Sequence, residues 1–465
     1  MKVLPARGHL LLVGVLALIV GSTAVHAEWD IENGQWGKDD PTDIRVMTWN
    51  IHDGICKTEV KQEGSNQWTA IARIVAALKP DFLLLQEAGD STDGGDTMQE
   101  LEIVCDLFLH GGTDPFVGGN PEVTAYVQAY DPNYDLPYIF VSGESDGYNR
   151  NVILSRFPFM DLNGDTRSVK SDIPAVLPHL YAPGGDGKIR GFMMAEVDLD
   201  DDIYAGDLVV GNCHLRAYSD GAAERLAAAQ NVAYVIDYWF NGGGFGVPDY
   251  YNKIADSPLA QWILDDNTPI VFGGDFNEDE QTNGRRGPAD WFTQAEYTGG
   301  SDGTDRDRTD MVFDSALHPV SGNRGTYSAS NKLDYLAWQD SIVALRRAFI
   351  FYSNETPLSY LPPEVLDFLP TPLGINSFAS DHRPVIVDLI LPTDPCAGYV
   401  LGDSNGDSDV NAYDIDWFIM AVGDSANYIA QFGEQAWLCR NDINDDDDVN
   451  AYDIDGFILV VGGGG

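Results

Sequence analysis

The stretch that decides the fold of this 465-residue chain runs from Pro269 to Asp279 and reads PIVFGGDFNED. Its apolar first half is typical of a buried β-strand. Directly after the strand come two glycines and the polar pair Asp275 and Asn277. Most of the other polar candidates described below also follow an apolar strand. The pattern therefore predicts a sheet that presents a row of polar groups along one edge.

Short apolar runs alternate with helical patterns from residue 43 to residue 392. Besides Pro269–Phe272, strands are predicted at Ile44–Trp49, Asp81–Gln86, Gly191–Val197, Leu208–Leu215, Leu333–Trp338, Ala344–Tyr352 and Pro384–Leu391. Helices are predicted at Trp68–Leu78, where apolar residues recur on one face, and at Ala222–Phe240. Many short strands with interspersed helices indicate an α/β or α+β fold with a layered or sandwich architecture.

Ten polar residues are placed mainly at the predicted strand ends. In chain order they are Asn50, Glu87, Asn151, Arg156, His214, Asp275, Asn277, Asp334, Asp381 and His382. Each has a purely structural explanation when taken alone. His214 beside Cys213 fits a hydrogen-bonded core histidine, and Asp275 with Asn277 fits an Asx turn. The ordered set is more informative than any single member.

That order resembles the endonuclease/exonuclease/phosphatase family over residues 43–392. The resemblance rests on GDFN at residues 274–277, SDH at residues 380–382 and QE at residues 86–87. It implies a four-layered α/β sandwich of two packed sheets with outer helices, and the metal-dependent hydrolysis of phosphoester bonds. Asn151 and Arg156 match a family position whose role is mainly structural.

The same resemblance implies a catalytic set of His214, Asp275, Asn277, Asp334 and His382. The two histidines would flank the phosphate and donate protons or hydrogen bonds to its oxygens and to the leaving group. Asp334 would orient His382 and raise its basicity. Asp275 and Asn277 would orient the attacking water and bind phosphate or metal. Which residue removes the proton of the water is left open.

The resemblance also implies a magnesium or manganese site. Glu87 would be the principal ligand, assisted by Asn50 and Asp381, and oxygen ligands of this kind suit Mg²⁺ or Mn²⁺. A cation is needed because the anionic oxygens shield the phosphorus from attack. Some family members carry a carboxylate two residues after the first asparagine. Here that position is His52, which we interpret as a loop histidine.

The charge of the chain limits the choice of substrate. The formal net charge of −46 excludes generic binding of polyanions in a basic groove. Arginines that could contact phosphate locally are Arg150, Arg216, Arg285, Arg286, Arg306 and Arg308. We expect a phosphodiester or phosphomonoester hydrolase, with an extracellular nuclease as one form and a sphingomyelinase-like or small-phosphoester phosphatase as the alternative. A different class of function is an inactive binding module tethered by its C-terminal tail.

The tail contains an internal repeat, DSNGDSDVNAYDID from Asp403 and DINDDDDVNAYDID from Asp442. Each copy places oxygen-bearing residues at the spacing of a 12-residue calcium loop. The predicted Ca²⁺ residues are Asp403, Asn405, Asp407, Asp409, Asn411, Asp414, Asp442, Asn444, Asp446, Asp448, Asn450 and Asp453. The tail resembles a type I dockerin, which implies a cohesin-type or cell-surface protein partner. It departs from the loop pattern at position 6, where Ser408 and Asp447 replace the expected glycine.

The chain is predicted to divide into a signal peptide, a catalytic domain and a calcium-binding domain. Residues 1–27 combine Lys2 and Arg7 with an apolar run and a small-residue cleavage site, which predicts a secreted or cell-surface protein. The catalytic domain is predicted at residues 43–392 and the dockerin-like domain at 396–465. Of the five cysteines, Cys396 and Cys439 could form a disulfide, and Cys213 is predicted to be a buried thiol.

Overall fold

The computed structural model describes residues 29–92, 94–145, 147–164, 169–172, 189–239, 264, 267–292, 311–444 and 446–463. The predicted signal peptide lies outside this part of the chain, as do Arg306 and Arg308. No helix within the described residues has the length and apolarity needed to cross a bilayer.

Twelve strands form two six-stranded sheets in the described part of the chain. They are β1 (Ile44–Asn50), β2 (Phe82–Ala88), β3 (Tyr138–Val141), β4 (Arg150–Ser155), β5 (Lys170–Asp172), β6 (Ile189–Val197), β7 (Leu208–Leu215), β8 (Ile270–Asp275), β9 (Val312–Phe313), β10 (Asp334–Trp338), β11 (Ala344–Ile350) and β12 (Val385–Ile390). The predicted strands are all present, with small shifts at their ends. Two short hairpins pair Trp29–Asp30 with Gln35–Trp36 and Gly112–Thr113 with Glu122–Val123.

The two sheets have matching topologies. The first has the strand order β11-β12-β1-β2-β4-β3, and the second has the order β9-β10-β8-β7-β6-β5. Each sheet contains one parallel pair, β1 with β2 and β7 with β8, and the remaining pairs are antiparallel. In both strand orders the parallel pair occupies the third and fourth places, so the carboxyl ends of these strands lie near the middle of each sheet.

Helices cover the outer faces of both sheets. They are α1 (Gln67–Leu78), α2 (Met98–His110), α3 (Tyr126–Tyr130), α4 (Ala222–Trp239), α5 (Pro288–Phe292), α6 (Pro363–Leu366) and α7 (Ile375–Ala379). The predicted helix at Trp68–Leu78 is α1, which begins after Asn66 because that side chain accepts a hydrogen bond from the Thr69 amide. The helix predicted at Ala222–Phe240 is α4, and Phe240 lies outside the described residues.

Successive residues of the central strands alternate between two cores, as a strand buried on both faces requires. Leu84 and Val271 belong to the core between the sheets, whereas Leu85 packs under α1 and α2 and Phe272 packs under α4. One apolar layer lies between the two sheets, and one lies between each sheet and its outer helices. The order of the structural layers is therefore helices, sheet, sheet and helices. The predicted four-layered sandwich is confirmed.

The described part of the tail contains four α-helices, α8 (Ile415–Gly423), α9 (Ser425–Phe432), α10 (Glu434–Asn441) and α11 (Ile454–Gly463). Cys396 and Cys439 form the predicted disulfide. Cys213 is a free, buried thiol as predicted, and Cys56 and Cys105 are also free and buried. The exact division of the chain at residues 392–396 stays a prediction.

Candidate active site

Strand register explains why residues far apart in the sequence meet at one place. His214 near the end of β7 is paired with Asp275 at the end of β8, and Asp275 is paired with Asp334 at the start of β10. In the other sheet, β1 ends at Asn50 beside the carboxyl end of β2. Because β12 runs antiparallel to β1, His382, just before β12, lies close to the end of β1. Both sheets therefore place their polar ends at one edge of the sandwich.

Asp275 is the centre of the contacts at this edge. Its Oδ2 lies 3.3 Å from Nε2 of His214 and 3.7 Å from Nε2 of His382. The amide Nδ2 of Asn50 donates to the same oxygen at 3.1 Å. The backbone amide of Asn277 donates to Oδ1 at 2.9 Å. The two histidines therefore lie on either side of one buried carboxylate, and their predicted contact with the phosphate stays a prediction.

The backbone directly before Asp275 adopts a conformation that only glycine accepts. Gly274 has φ +149°, and a Cβ there would lie 1.8 Å from the carbonyl oxygen of Cys213. The close approach of β7 and β8 at this point brings His214 and Asp275 together. The second glycine of the GGDFN stretch is thus a requirement of the site geometry.

His382 is oriented by Asp334. Its Nδ1 lies 2.9 Å and 3.1 Å from the two carboxylate oxygens of Asp334, and both side chains are buried. Burial by itself would lower the pKa of His382, but the charges of Asp334 and Asp275 outweigh it and raise the pKa to about 10. The ring is consequently an imidazolium at neutral pH, with Nε2 directed to the Asp275 side.

Burial has the opposite effect on Asp275. Desolvation raises its pKa to about 7, even though the His382 charge and the hydrogen bonds from Asn50 and Asn277 act to lower it. A carboxylate with this pKa can take up a proton near neutral pH.

Asn277 holds His214 from the other side. Its Nδ2 lies 3.1 Å from Nε2 of His214 and donates to the carbonyl oxygen of Leu215 at 3.0 Å. Asn277 adopts the left-handed backbone region, with φ +52°. A strained backbone of this kind is frequently retained at functional sites.

Glu87 also occupies a distorted position. The pairing of β2 with β4 shifts register between Leu85 and Ala88, so Glu87 sits in an irregularity of the strand and has φ +51°. Its Oε1 lies 3.8 Å from Nε2 of His214. The irregularity lets a residue of a buried strand expose part of its carboxylate in the cleft.

Two of the three residues predicted to hold a metal, Glu87 and Asp381, line one cleft of about 580 Å³ together with His214, Asp275 and His382. Glu87 and Asp381 contribute carboxylates to this cleft, while Asn50 lies below it and contacts Asp275. Asp381 is exposed, and its nearest ion-pair partner is His52 at 4.0 Å. Two accessible carboxylates in a cleft that already holds Asp275 make a donor set that fits a hard divalent cation.

Three buried groups, Asp275, Asp334 and His382, also place potential ligand atoms within 4.8 Å of one another. Both oxygens of Asp334 are already at hydrogen-bonding distance from the His382 ring. This group is therefore better described as a histidine with its orienting carboxylate than as a metal centre. His52, with its exposed side chain, is a loop histidine as expected.

The arginines predicted to contact phosphate have mixed outcomes. Arg285 lines the cleft, where it pairs with Glu278 at 2.7 Å. Arg150 donates to backbone carbonyls instead, and Arg216 and Arg286 form surface pairs with acidic residues four positions away. None of those three lines the cleft, and phosphate contact by them stays a prediction.

Several residues of the cleft wall were not predicted from the sequence. Arg225 of α4 is buried and donates from Nε to Glu278 at 2.7 Å, and Tyr327 places its ring centroid 5.0 Å from that of His382. Glu278 follows the GDFN stretch directly, so its position was a usable signal. Arg225 and Tyr327 belong to segments without a distinctive pattern.

Asn151 and Arg156 have structural contacts, as expected. Asn151 is fully buried within β4, and Arg156 donates to Oδ1 of Asp81 at 3.0 Å. Neither residue lines the cleft.

Comparison with known proteins places residues 47–394 in the Endonuclease/Exonuclease/phosphatase family. An endonuclease/exonuclease/phosphatase structure from Beutenbergia cavernae is 20% identical, with 75% of this chain and 72% of that chain covered and a TM-score of 0.42. The human Nocturnin catalytic domain with bound sulfate is 15% identical, with 75% and 95% covered and a TM-score of 0.40. Truncated Caenorhabditis elegans TDP2 is 14% identical, with 75% and 97% covered and a TM-score of 0.39. No curated protein gives a significant match.

Proposed function

The chain belongs to the endonuclease/exonuclease/phosphatase family, and we propose that it is an exported phosphodiesterase whose first candidate substrates are nucleic acids and nucleotide diesters. Members of this family are metal-dependent hydrolases of phosphoester bonds, and so is this chain. The observation that carries the proposal is the placement of His214 and His382 on either side of Asp275 in an open cleft.

Each buried side chain has a defined task in this proposal. His382, kept protonated by Asp334, donates a hydrogen bond to a phosphate oxygen and a proton to the departing oxygen. Asp275, with its pKa near 7, accepts the proton of the attacking water. Asn277 fixes His214, which contacts a second phosphate oxygen.

Glu87, with Asn50 and Asp381, would hold the Mg²⁺ or Mn²⁺ ion. A cation bound there neutralises charge on the phosphate. Glu87 and Asp381 fit the ion because their carboxylates lie in the cleft that His214 and His382 also line, and Asn50 lies beneath the cleft beside Asp275.

The cleft favours small or flexible substrates over long duplexes. Among the described residues, the arginines that line it, Arg225 and Arg285, are already paired with Glu278, so these arginines offer little free positive charge to a DNA backbone. A sphingomyelinase-like or small-phosphoester phosphatase is the alternative. An inactive binding module is disfavoured because the buried residues of the predicted catalytic set converge without a missing member.

The proposal is tested with purified protein, Mg²⁺ and bis(4-nitrophenyl) phosphate, followed by plasmid DNA, RNA, sphingomyelin and sugar phosphates. We expect His382→Gln to lose on the order of 10²-fold or more in kcat. The matched control is His110→Gln, because His110 lies on α2 and pairs with Asp106 and Asp135 away from the cleft. Equal slow rates for wild type and His382→Gln would contradict an enzymatic function.

Export is part of the proposal and follows from the leader pattern at residues 1–27. Amino-terminal sequencing of protein recovered from the culture medium tests it, with a start near Glu28 expected. Full-length protein retained inside the cell would contradict export.

We propose a second function for the tail, the binding of two Ca²⁺ ions. The two repeat loops have equivalent geometries: Asp414 accepts from the amides of Asn405 and Asn411, and Asp453 accepts from those of Asn444 and Asn450. At position 6, Ser408 and Asp447 adopt φ +71° and +63°. These residues adopt the left-handed backbone conformation that glycine normally adopts at this position. The departure from the loop pattern is therefore compatible with a calcium-loop conformation.

Docking of the tail to a cohesin-type or cell-surface protein remains part of this second proposal. Phe418 and Phe457 stack with their centroids 3.8 Å apart, and Ile419 and Ile458 beside them are each 61% exposed. An exposed apolar face of this kind is typical of an interaction surface. Calcium-dependent retention of the full chain on an immobilised cohesin would support the proposal, and calcium-independent retention or none would contradict it.

A further inference from the structure

A second cavity adjoins the catalytic cleft on the side of Asp381. Its volume is about 520 Å³, close to that of the cleft. His52, Tyr327, Asp381 and His382 line both spaces, so the two meet at the catalytic histidine. We call the second space the arm pocket.

The arm pocket differs from the cleft in its chemistry. The cleft carries several carboxylates, whereas Asp381, at the shared boundary, is the one carboxylate among the described residues that line the arm pocket. Its walls include the rings of Tyr327, Tyr352 and Phe378 and the amide side chain of Gln67. Aromatic faces combined with an amide suit an uncharged planar group that also forms hydrogen bonds.

The arginine in the wall is already engaged. The guanidinium of Arg383 lies 3.7 Å from the centroid of the Tyr352 ring and donates to the carbonyl oxygen of Gly325 at 2.7 Å. It thus stabilises the wall and is poorly placed to take a second phosphate. A neutral occupant is therefore favoured over an anionic one.

The walls are held in place before any ligand arrives. The Phe378 ring packs against Phe368 with the centroids 5.4 Å apart. Gln67, the first residue of α1, donates from Nε2 to the carbonyl oxygen of His52 at 2.9 Å. Asn376 accepts from the Ser353 amide at 2.8 Å, which fixes the start of α7. Pre-organised walls lower the entropic cost of binding.

We propose that the arm pocket binds a nucleoside, carried as one ester arm of a phosphodiester whose phosphoryl group lies between His214 and His382. This inference rests on the proposed phosphodiesterase function and deepens it. The arm pocket opens beside His382, so a group bound there is joined to the reacting phosphate through a short linker such as a sugar. A simple inorganic phosphate would leave the arm pocket empty, so the nucleoside arm determines specificity.

The experiment uses the full chain with Mg²⁺ and bis(4-nitrophenyl) phosphate, and it compares two inhibitors. Adenosine, which has no phosphate, reports on the arm pocket, and inorganic phosphate reports on the catalytic cleft. We expect adenosine to compete with the diester. Phe378→Leu should raise the adenosine inhibition constant by about tenfold and leave that of phosphate within about twofold, because stacking on an aromatic ring contributes strongly to base binding.

The matched control is Phe159→Leu, which alters a partly buried phenylalanine that contacts Tyr138 and Phe140 and lines neither cavity. It should leave both inhibition constants unchanged. Turnover of the diester without competition by adenosine, or equal effects of Phe378→Leu and Phe159→Leu, would overturn the nucleoside inference alone. No turnover of the diester by wild type would overturn the phosphodiesterase proposal on which it rests.

Discussion

Replacing Asp334 by asparagine removes the carboxylate that faces Nδ1 of His382 and leaves the shape of the side chain almost unchanged. Both Asp334 oxygens lie at 3.1 Å or less from this nitrogen, and both residues are buried. Asp334 is the largest of the influences that raise the pKa of His382 from 6.5 to about 10. We therefore expect the pKa of His382 in Asp334→Asn to fall back toward its ordinary value.

The expected loss of activity in Asp334→Asn follows from the pKa of His382. A rise from 6.5 to about 10 corresponds to a stabilisation of the imidazolium on the order of 5 kcal/mol, shared between Asp334 and Asp275. If Asp334 supplies half of this stabilisation, the ring of the variant loses its proton at mildly alkaline pH, where the ring of the wild type is still protonated. The ring also loses the hydrogen bond that sets its orientation. We expect kcat for a phosphodiester to fall by about 10²–10⁴-fold, the usual contribution of a positioned acid.

Stability should change with pH in a defined direction. The folded-state pKa of His382 lies above its unfolded value, so the contribution of Asp334 is complete below about pH 6.5 and is lost as the pH rises through about 10. The difference in unfolding free energy between wild type and Asp334→Asn should therefore be larger at pH 6 than at pH 10.5. Urea unfolding at the two pH values measures it.

The assay for the central step is an NMR titration of the histidine rings in metal-free protein. Asp340→Asn is the matched control, because Asp340 follows the same strand, is exposed and carries the same charge. The reasoning is refuted if the pKa of His382 is the same in wild type and Asp334→Asn. It is also refuted if Asp334→Asn keeps kcat within about threefold of wild type.

Three further predictions concern stability. Arg45→Met should cost about 3–5 kcal/mol in urea unfolding, because it leaves the fully buried Asp388 with the more distant Arg347, at 3.7 Å, as its cationic partner. Adding Asp388→Leu should recover much of the loss. Failure of the double variant to recover would contradict the buried-pair argument. Replacing Cys396 and Cys439 by alanine should destabilise the tail by about 2–4 kcal/mol in thermal unfolding while phosphodiester hydrolysis is unchanged. Chelation of calcium should unfold the tail, which circular dichroism measures. Asp453→Ala should lower the calcium affinity that titration calorimetry measures. An unchanged spectrum or an unchanged affinity would refute the loop assignment.

The strand ends were predictable because the sequence signal is local. An apolar strand followed by a polar residue, as at Asp275, places that residue at a sheet edge whatever the rest of the chain does. His214 and Asp275 then meet because β7 and β8 are neighbours in register, which the family order implied and local patterns alone did not.

The contacts that sequence reasoning missed join distant segments of the chain. Gln86 on β2 donates from Nε2 to Oδ1 of Asn212 on β7 at 2.8 Å, a polar bridge across the apolar core between the sheets. Arg45 and Asp388 pair because β1 and β12 are adjacent. Neither contact has a sequence signature, since each partner looks like an ordinary polar residue within a strand. Phe378 also has no sequence signature, because its proposed role depends on the cavity that it lines.

The most direct test of a divalent-metal phosphodiesterase centred on Asp275 is to locate the catalytic ion. Crystals grown with calcium, to fill the tail, and then soaked in Mn²⁺ would reveal the ion by its anomalous scattering. We predict a peak within about 2.2 Å of the Glu87 carboxylate, in the cleft that His214 and His382 line. A manganese peak bound instead by Asp334 and His382, or none in the cleft, would contradict the account.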